Sequence, residues 1–173
     1  MLLKPSEIYY CQNSVKNKFS NGKRIGETLD DLCEGRCLLS SFPRIRVSKR
    51  GSKWFTTDNR RLWVFRHLYR LGKCGEIPVM ETGDIPSRKM TTDNGGTSIS
   101  VRGAGGPGGT WYLKPNGAGS NPDGTFSCTW PESSFSGLGS FYFDSDYDVD
   151  SDDYGFNYSD DEYGCNSDFD DFW

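Results

Sequence analysis

The stretch "KWFTTDNRRLWVFRHLYRLGKCGEIPV", residues 53–79, decides the fold. It opens on a short strand pattern, "KWFTT", crosses a polar turn at Asp58 and Asn59, and enters a run whose apolar residues recur at helical spacing. At about 100° per residue, Leu62, Val64, Phe65, Leu68 and Tyr69 share one side of this helix, and Arg60, Trp63, Arg66, His67 and Arg70 share the other. The first side is predicted to be core. The second is predicted to be a cationic, partly aromatic face whose front edge, Arg60, meets the helix N-terminus. The helix should run from about Asn59 to Leu71, stop at Gly72, and lead into a short strand, "EIPVME".

Upstream, "RIRVS" alternates apolar with polar or charged residues and is joined to "KWFTT" by the turn "KRGS", which predicts a hairpin. "RIGETLDDLCEGR" places Ile25, Leu29, Leu32 and Arg36 on one stripe and predicts a helix ending near Gly35. "NSVKNKFSNG" is expected to be a short helix capped by Asn13 or Ser14 and closed by Gly22, and "EIYY" a short strand. The order strand, helix, helix, strand, strand, helix, strand gives a small α+β domain, a mixed sheet with packed helices, over residues 1–90.

Beyond it the composition changes. Residues 91–140 are rich in Gly, Pro, Asn and Ser and are expected to form a loosely ordered extension, with "TSISVR" and "TWYLKP" as short strands against the body. Residues 141–173 alternate acidic residues with Phe, Tyr and Trp, and their self-repulsion predicts a disordered acidic tail.

The net charge of −4 conceals this division. Residues 1–90 hold eighteen Lys and Arg against nine Asp and Glu, whereas residues 141–173 hold twelve Asp and Glu and no Lys or Arg. A basic body suits anionic partners, and the tail suits a basic protein partner or the chain's own basic surface, where it would compete with phosphates as an autoinhibitor. No run approaches the roughly 20 apolar residues of a membrane span, and "MLLKPSEIYY" lacks a signal-peptide core. The expectation is an intracellular protein, cytoplasmic or nuclear, with no membrane partner. The six cysteines are scattered, and Cys33 and Cys37, four apart in a helical pattern, are expected to be packed rather than to bind zinc.

A helix N-terminus carries unpaired N–H groups and a partial positive charge, so it attracts anions. Asp58 or Asn59 is a natural N-cap. The tetrapeptide "TTDN" recurs at Thr91–Asn94, where it has the chemistry of a turn. Arg60 and Arg61 distinguish the first copy, since a cap needs no guanidinium and a phosphate is held well by one.

These residues carry a resemblance. "EIYYCQNSVKNKF", "GKRIGETLDDLCEGR" and "FPRIRVSKRGSKWFTTDNRRLWVFRHL" together resemble the ParB and sulfiredoxin superfamily over roughly residues 4–80. The strand-to-helix turn of sulfiredoxins reads Phe-Gly-Gly-Cys-His-Arg, and Phe55 to Arg60 occupy the same positions; the ParB turn, Gly-Glu-Arg-Arg, falls on Thr57 to Arg60. The resemblance implies a turn that binds nucleotide phosphates, with Arg60 as the principal contact. It also departs from the pattern. Asp58 stands where sulfiredoxin has its reactive cysteine, which removes the nucleophile of sulfinate repair. Two threonines replace the two glycines, and Asn59 replaces a ParB arginine.

Two functions compete. In the first, Thr57, Asp58, Asn59, Arg60 and Arg61 hold the phosphates of ATP or CTP, with Asp58 as a Mg²⁺ ligand or catalytic base in phosphoryl transfer or nucleotide hydrolysis. In the second, Arg44, Arg46, Lys49, Arg50 and Lys53 on the hairpin join Arg60, Arg66 and Arg70 on the helix as a surface for DNA or RNA, with Trp54 or Trp63 stacking a base. His67, the only histidine, is expected to be an inert surface residue.

Overall fold

The structure is a computed structural model and describes residues 1–121. These residues form strands β1 (Leu2–Leu3), β2 (Ile8–Tyr10) and β3 (Ser14–Lys16), helix α1 (Ile25–Cys33), strands β4 (Ile45–Arg50) and β5 (Lys53–Thr56), helix α2 (Asn59–Arg70), and strands β6 (Ile77–Glu81) and β7 (Ser100–Arg102). The main sheet is mixed, in the order β1-β6-β4-β5-β2. β4 runs antiparallel to β5 and parallel to β6, while β2 runs parallel to β5.

The hairpin closes at Gly51, whose φ of 61° suits a residue without a Cβ. From β5 the chain climbs α2 and returns as β6 on the far side of β4, so α2 is the crossover that a parallel pair requires. α2 ends as its sequence predicts. Gly72, at φ 75°, donates its N–H to Tyr69 O at 3.0 Å, and Lys73 donates to Leu68 O at 2.8 Å, which satisfies two of the last carbonyls.

Period-two alternation gives the sheet two chemically distinct faces. Ile8, Ile45 and Val47 meet Ile25, Leu29 and Leu32 of α1 and Leu62, Phe65 and Leu68 of α2 in one buried cluster. Each such side chain, fully buried, stabilises the fold by roughly 1.5–3 kcal/mol. The register pairs Ser48 with Phe55, Phe55 with Tyr9, and Arg50 with Lys53, so these residues share the opposite face.

Three local expectations change. Residues 14–16 are a strand, not part of a helix, because "SISVR" supplies a parallel partner from far along the chain, Ser14 pairing with Ser100 and Lys16 with Arg102. "TWYLKP" forms a 3₁₀ turn over Trp111–Leu113 instead of a strand. The glycine-rich stretch, as far as residue 121, is fastened to the body rather than loose. Gly26 donates its N–H to Pro107 O at 2.8 Å, and the Asp30 carboxylate accepts the N–H groups of Thr110 (2.8 Å) and Trp111 (2.9 Å). The acidic tail, with its expected disorder and autoinhibition, lies outside the described residues. Among the described residues no helix is long and apolar enough to cross a membrane.

Candidate functional site

The turn between β5 and α2 is built by side chains that bond backbone. Thr56 Oγ1 donates to Arg46 O at 2.6 Å and accepts the Asp58 N–H at 3.0 Å, which fixes the chain as it leaves the strand. Asp58 then holds the N-cap position, but its carboxylate makes no cap hydrogen bond. It turns back to β4 instead. Oδ2 accepts the Arg46 backbone N–H at 2.7 Å and Nε at 3.2 Å, Oδ1 accepts Nη2 at 2.8 Å, and the carboxylate has no exposed surface. A buried carboxylate needs several donors to offset its lost hydration, and Arg46 supplies three. The expected side-chain cap is therefore not made.

The neighbouring residues also face inward. Asn59 Oδ1 accepts the Cys11 N–H at 3.1 Å, and its Nδ2 donates to Gln12 Oε1 at 2.9 Å. Arg60, only 8% exposed, donates through Nη1 to Lys18 O at 2.5 Å. Arg61 lies 3.8 Å from Asp58 Oδ1, and Thr57 is half-buried. The five residues of the turn are consecutive, and Asp58, Asn59 and Arg60 are engaged within the fold.

The same holds along the second side of α2, which is covered, not open. Arg66 donates to Pro5 O (3.3 Å), Thr97 O (2.6 Å) and Ile8 O (2.5 Å), and it lies 4.6 Å above the Tyr10 ring. Burial raises the Tyr10 hydroxyl above its ordinary range despite that cation. Arg70 donates to Lys114 O at 2.6 Å, Tyr112 O at 2.9 Å and Asn116 Oδ1 at 3.2 Å. Trp63 is buried with its ring centroid 4.1 Å from that of His67. Burial, then the neighbouring Arg70, pull the His67 pKa down to about 4, so the ring is neutral at neutral pH. Because a guanidinium only donates, His67 Nδ1 accepts from Arg70 Nη2 at 3.1 Å and the ring proton sits on Nε2. A hollow of about 230 Å³ remains here, between Tyr10, Trp63, His67 and residues 97–99.

The hairpin differs. Lys49, Arg50 and Lys53 are exposed and make no ion pair among the described residues. Lys49 Nζ lies 5.6 Å from the Trp54 ring and Lys53 Nζ 4.6 Å from the Tyr9 ring, so each ammonium sits over a partly exposed aromatic. Arg44 is half-buried just before β4, and Arg46 is committed to Asp58. Between the outer face of the hairpin and residues 84–90 runs a cleft of about 460 Å³. Its wall residues Ser48, Phe55, Asp84, Ile85 and Met90 carry no sequence signal, since "GDIPSR" reads only as a turn and the fold alone sets it against β4 and β5.

A metal fits the turn poorly. Mg²⁺ at Asp58 would have to take the place of Arg46, which occupies both carboxylate oxygens. Among the described residues no group of three or more His, Cys, Asp or Glu side chains could hold a metal. Cys33 and Cys37 are both buried; Cys33 carries a thiol, whereas Cys37 is disulfide-bonded. No family model, no curated protein and no solved structure matches the chain.

Proposed function

We propose that this domain binds the phosphate backbone of nucleic acid through the β4–β5 hairpin. The observation that carries this reading is the contrast between two sets of cations. Arg46, Arg60, Arg66 and Arg70 donate to groups of the protein itself, whereas Lys49, Arg50 and Lys53 project from one hairpin without an acidic partner among the described residues. Phosphates reward cations that are exposed, close together and already partly desolvated by aromatic surface, and Tyr9 and Trp54 supply that surface. The half-buried Arg44, at the foot of β4, extends the same strand of charge. The interaction is a binding function, and no chemical step is assigned to it.

Anisotropy of a labelled oligonucleotide across a salt series tests this. Three phosphate contacts give a slope of log K against log salt of about −2 on a single strand. Arg50→Gln should lower both the affinity and that slope. Binding that ignores both salt and the substitution would dispose of the proposal.

A nucleotide site at the Asp58–Arg61 turn is the second reading, and the position of Arg61 favours it. Its side chain stands in the first turn of a twelve-residue helix, 3.8 Å from Asp58, with a sixth of its surface still open. The ParB and sulfiredoxin resemblance rests on this same turn. Titration with ATP, CTP and GTP, with and without Mg²⁺, tests it: saturable binding lost in Arg61→Ala, with hairpin substitutions silent, would move the site from the hairpin to the turn.

A further inference from the structure

The cleft beside the hairpin combines three kinds of surface. Its volume of about 460 Å³ lies within the roughly 300–1,000 Å³ typical of small-ligand sites. Ile85, Met90 and the largely buried Phe55 give it apolar surface, Ser48 and Arg50 stand along it, and Asp84 contributes a carboxylate. Mixed polar and apolar walls with a carboxylate match a flat heterocycle bearing N–H donors. Cations at the edge match the phosphate attached to it.

We propose that this cleft takes one unpaired base of a single strand, whose flanking phosphates lie on Arg50 and Lys53, which share the outer face of the hairpin. The inference rests on the hairpin reading and makes it more specific. A duplex keeps its bases stacked and paired inside the helix, so it offers phosphates and groove edges but no free base to enter the cleft. A single strand can turn a base out and set it in the cleft, a contact that favours it over the duplex. The carboxylate adds a preference. Asp84 can accept but not donate when ionised, and guanine presents two adjacent N–H donors on its Watson–Crick edge, whereas thymine presents one between two acceptors. The cleft therefore favours guanine over thymine. Asp84 and Ile85 follow β6 on an exposed segment, so a change there leaves the buried cluster intact.

The test uses the full chain and labelled single strands of twelve thymidines in which one central position is thymine, guanine or abasic, together with the matching duplex. The expected result is binding at least tenfold tighter to the guanine strand than to the duplex, and several-fold tighter to guanine than to the abasic strand. Asp84→Asn should abolish the guanine-over-thymine preference while leaving the melting temperature unchanged. Equal affinity for strand, duplex and abasic strand, all weakened alike by Arg50→Gln, would overturn the cleft assignment and leave the hairpin reading standing. If free GMP competed as strongly as the twelve-mer, the cleft would belong to a mononucleotide and the strand assignment would fall. Binding to no oligonucleotide would remove the hairpin reading and this inference together.

Discussion

Asp58 and Arg46 are locked together across the start of α2: Nη2 lies 2.8 Å from Oδ1, and the Arg46 backbone N–H lies 2.7 Å from Oδ2. One arginine thus presents both its side chain and its main chain to one carboxylate. The pair ties the central strand to the turn that launches the crossover helix. It also makes Asp58 a structural residue first.

Breaking the pair should be costly, because removing one partner leaves a buried charge alone. Asp58→Ala is expected to destabilise the domain by about 3 kcal/mol, the lower end for a buried pair since Arg46 keeps some exposure. Arg46→Ala should cost a similar amount, and the double variant should cost less than the sum. Urea unfolding of the four proteins measures this. Strict additivity would mean that the contact contributes nothing.

His67 should make the domain acid-sensitive. Its pKa is about 4 in the folded chain against 6.5 for the free side chain, so between these values the unfolded chain binds a proton that the folded chain does not. The contribution is fully present above pH 6.5 and is lost as pH falls toward 4. His67→Gln keeps an acceptor for Arg70 and removes the titration. The melting temperature of the variant should fall less steeply than that of the native chain across this window; parallel slopes would contradict the assignment.

Arg70 acts as a clamp on the segment that crosses it. Arg70→Lys retains the charge but loses the planar fork that reaches Tyr112 O, Lys114 O and Asn116 at once. A hydrogen bond to a charged group contributes about 1.5–3 kcal/mol, so losing these should destabilise by at least 2 kcal/mol or so. Hydrogen exchange should rise around residues 110–117, while oligonucleotide affinity stays the same. A loss of affinity without faster exchange would return Arg70 to the binding surface.

Gly26 gives a test in which the sign is the prediction. In an ordinary helix Gly→Ala stabilises by roughly 0.5–1 kcal/mol. Here a Cβ at residue 26 would stand 1.8 Å from Gly108 O, because the glycine-rich segment lies directly on α1. Gly26→Ala should therefore destabilise, by about 2 kcal/mol or more, within the range of overpacking. A stabilised variant would show that the segment does not pack there.

The legible parts of the fold were those with a local cause. The 3.6-residue stripes of α1 and α2, the alternation of β4 and β5, and the glycines at 51 and 72 each specify their element within a few residues. β3 was not legible, because three residues become a strand only when Ser100–Arg102 arrives beside them. The arginines show a second limit. A guanidinium at a helix start satisfies a phosphate or a carbonyl equally well, and Arg60 found Lys18 O. The repeated "TTDN" shows a third: Asn59 accepts the Cys11 N–H, and Thr91 and Thr92 donate to Cys11 O, so both copies serve one residue on the way from β2 to β3. Spacing gave no hint of that convergence.

The most direct test of the hairpin as the phosphate-binding surface is a salt series of single-strand anisotropy on three proteins: the native chain, the triple variant Lys49→Gln, Arg50→Gln, Lys53→Gln, and Arg61→Gln. The predicted result is a slope near −2 for the native chain, at least tenfold weaker binding by the triple variant at low salt, and native affinity for Arg61→Gln. A triple variant that binds like the native chain, while folding with an unchanged melting temperature, would contradict the account.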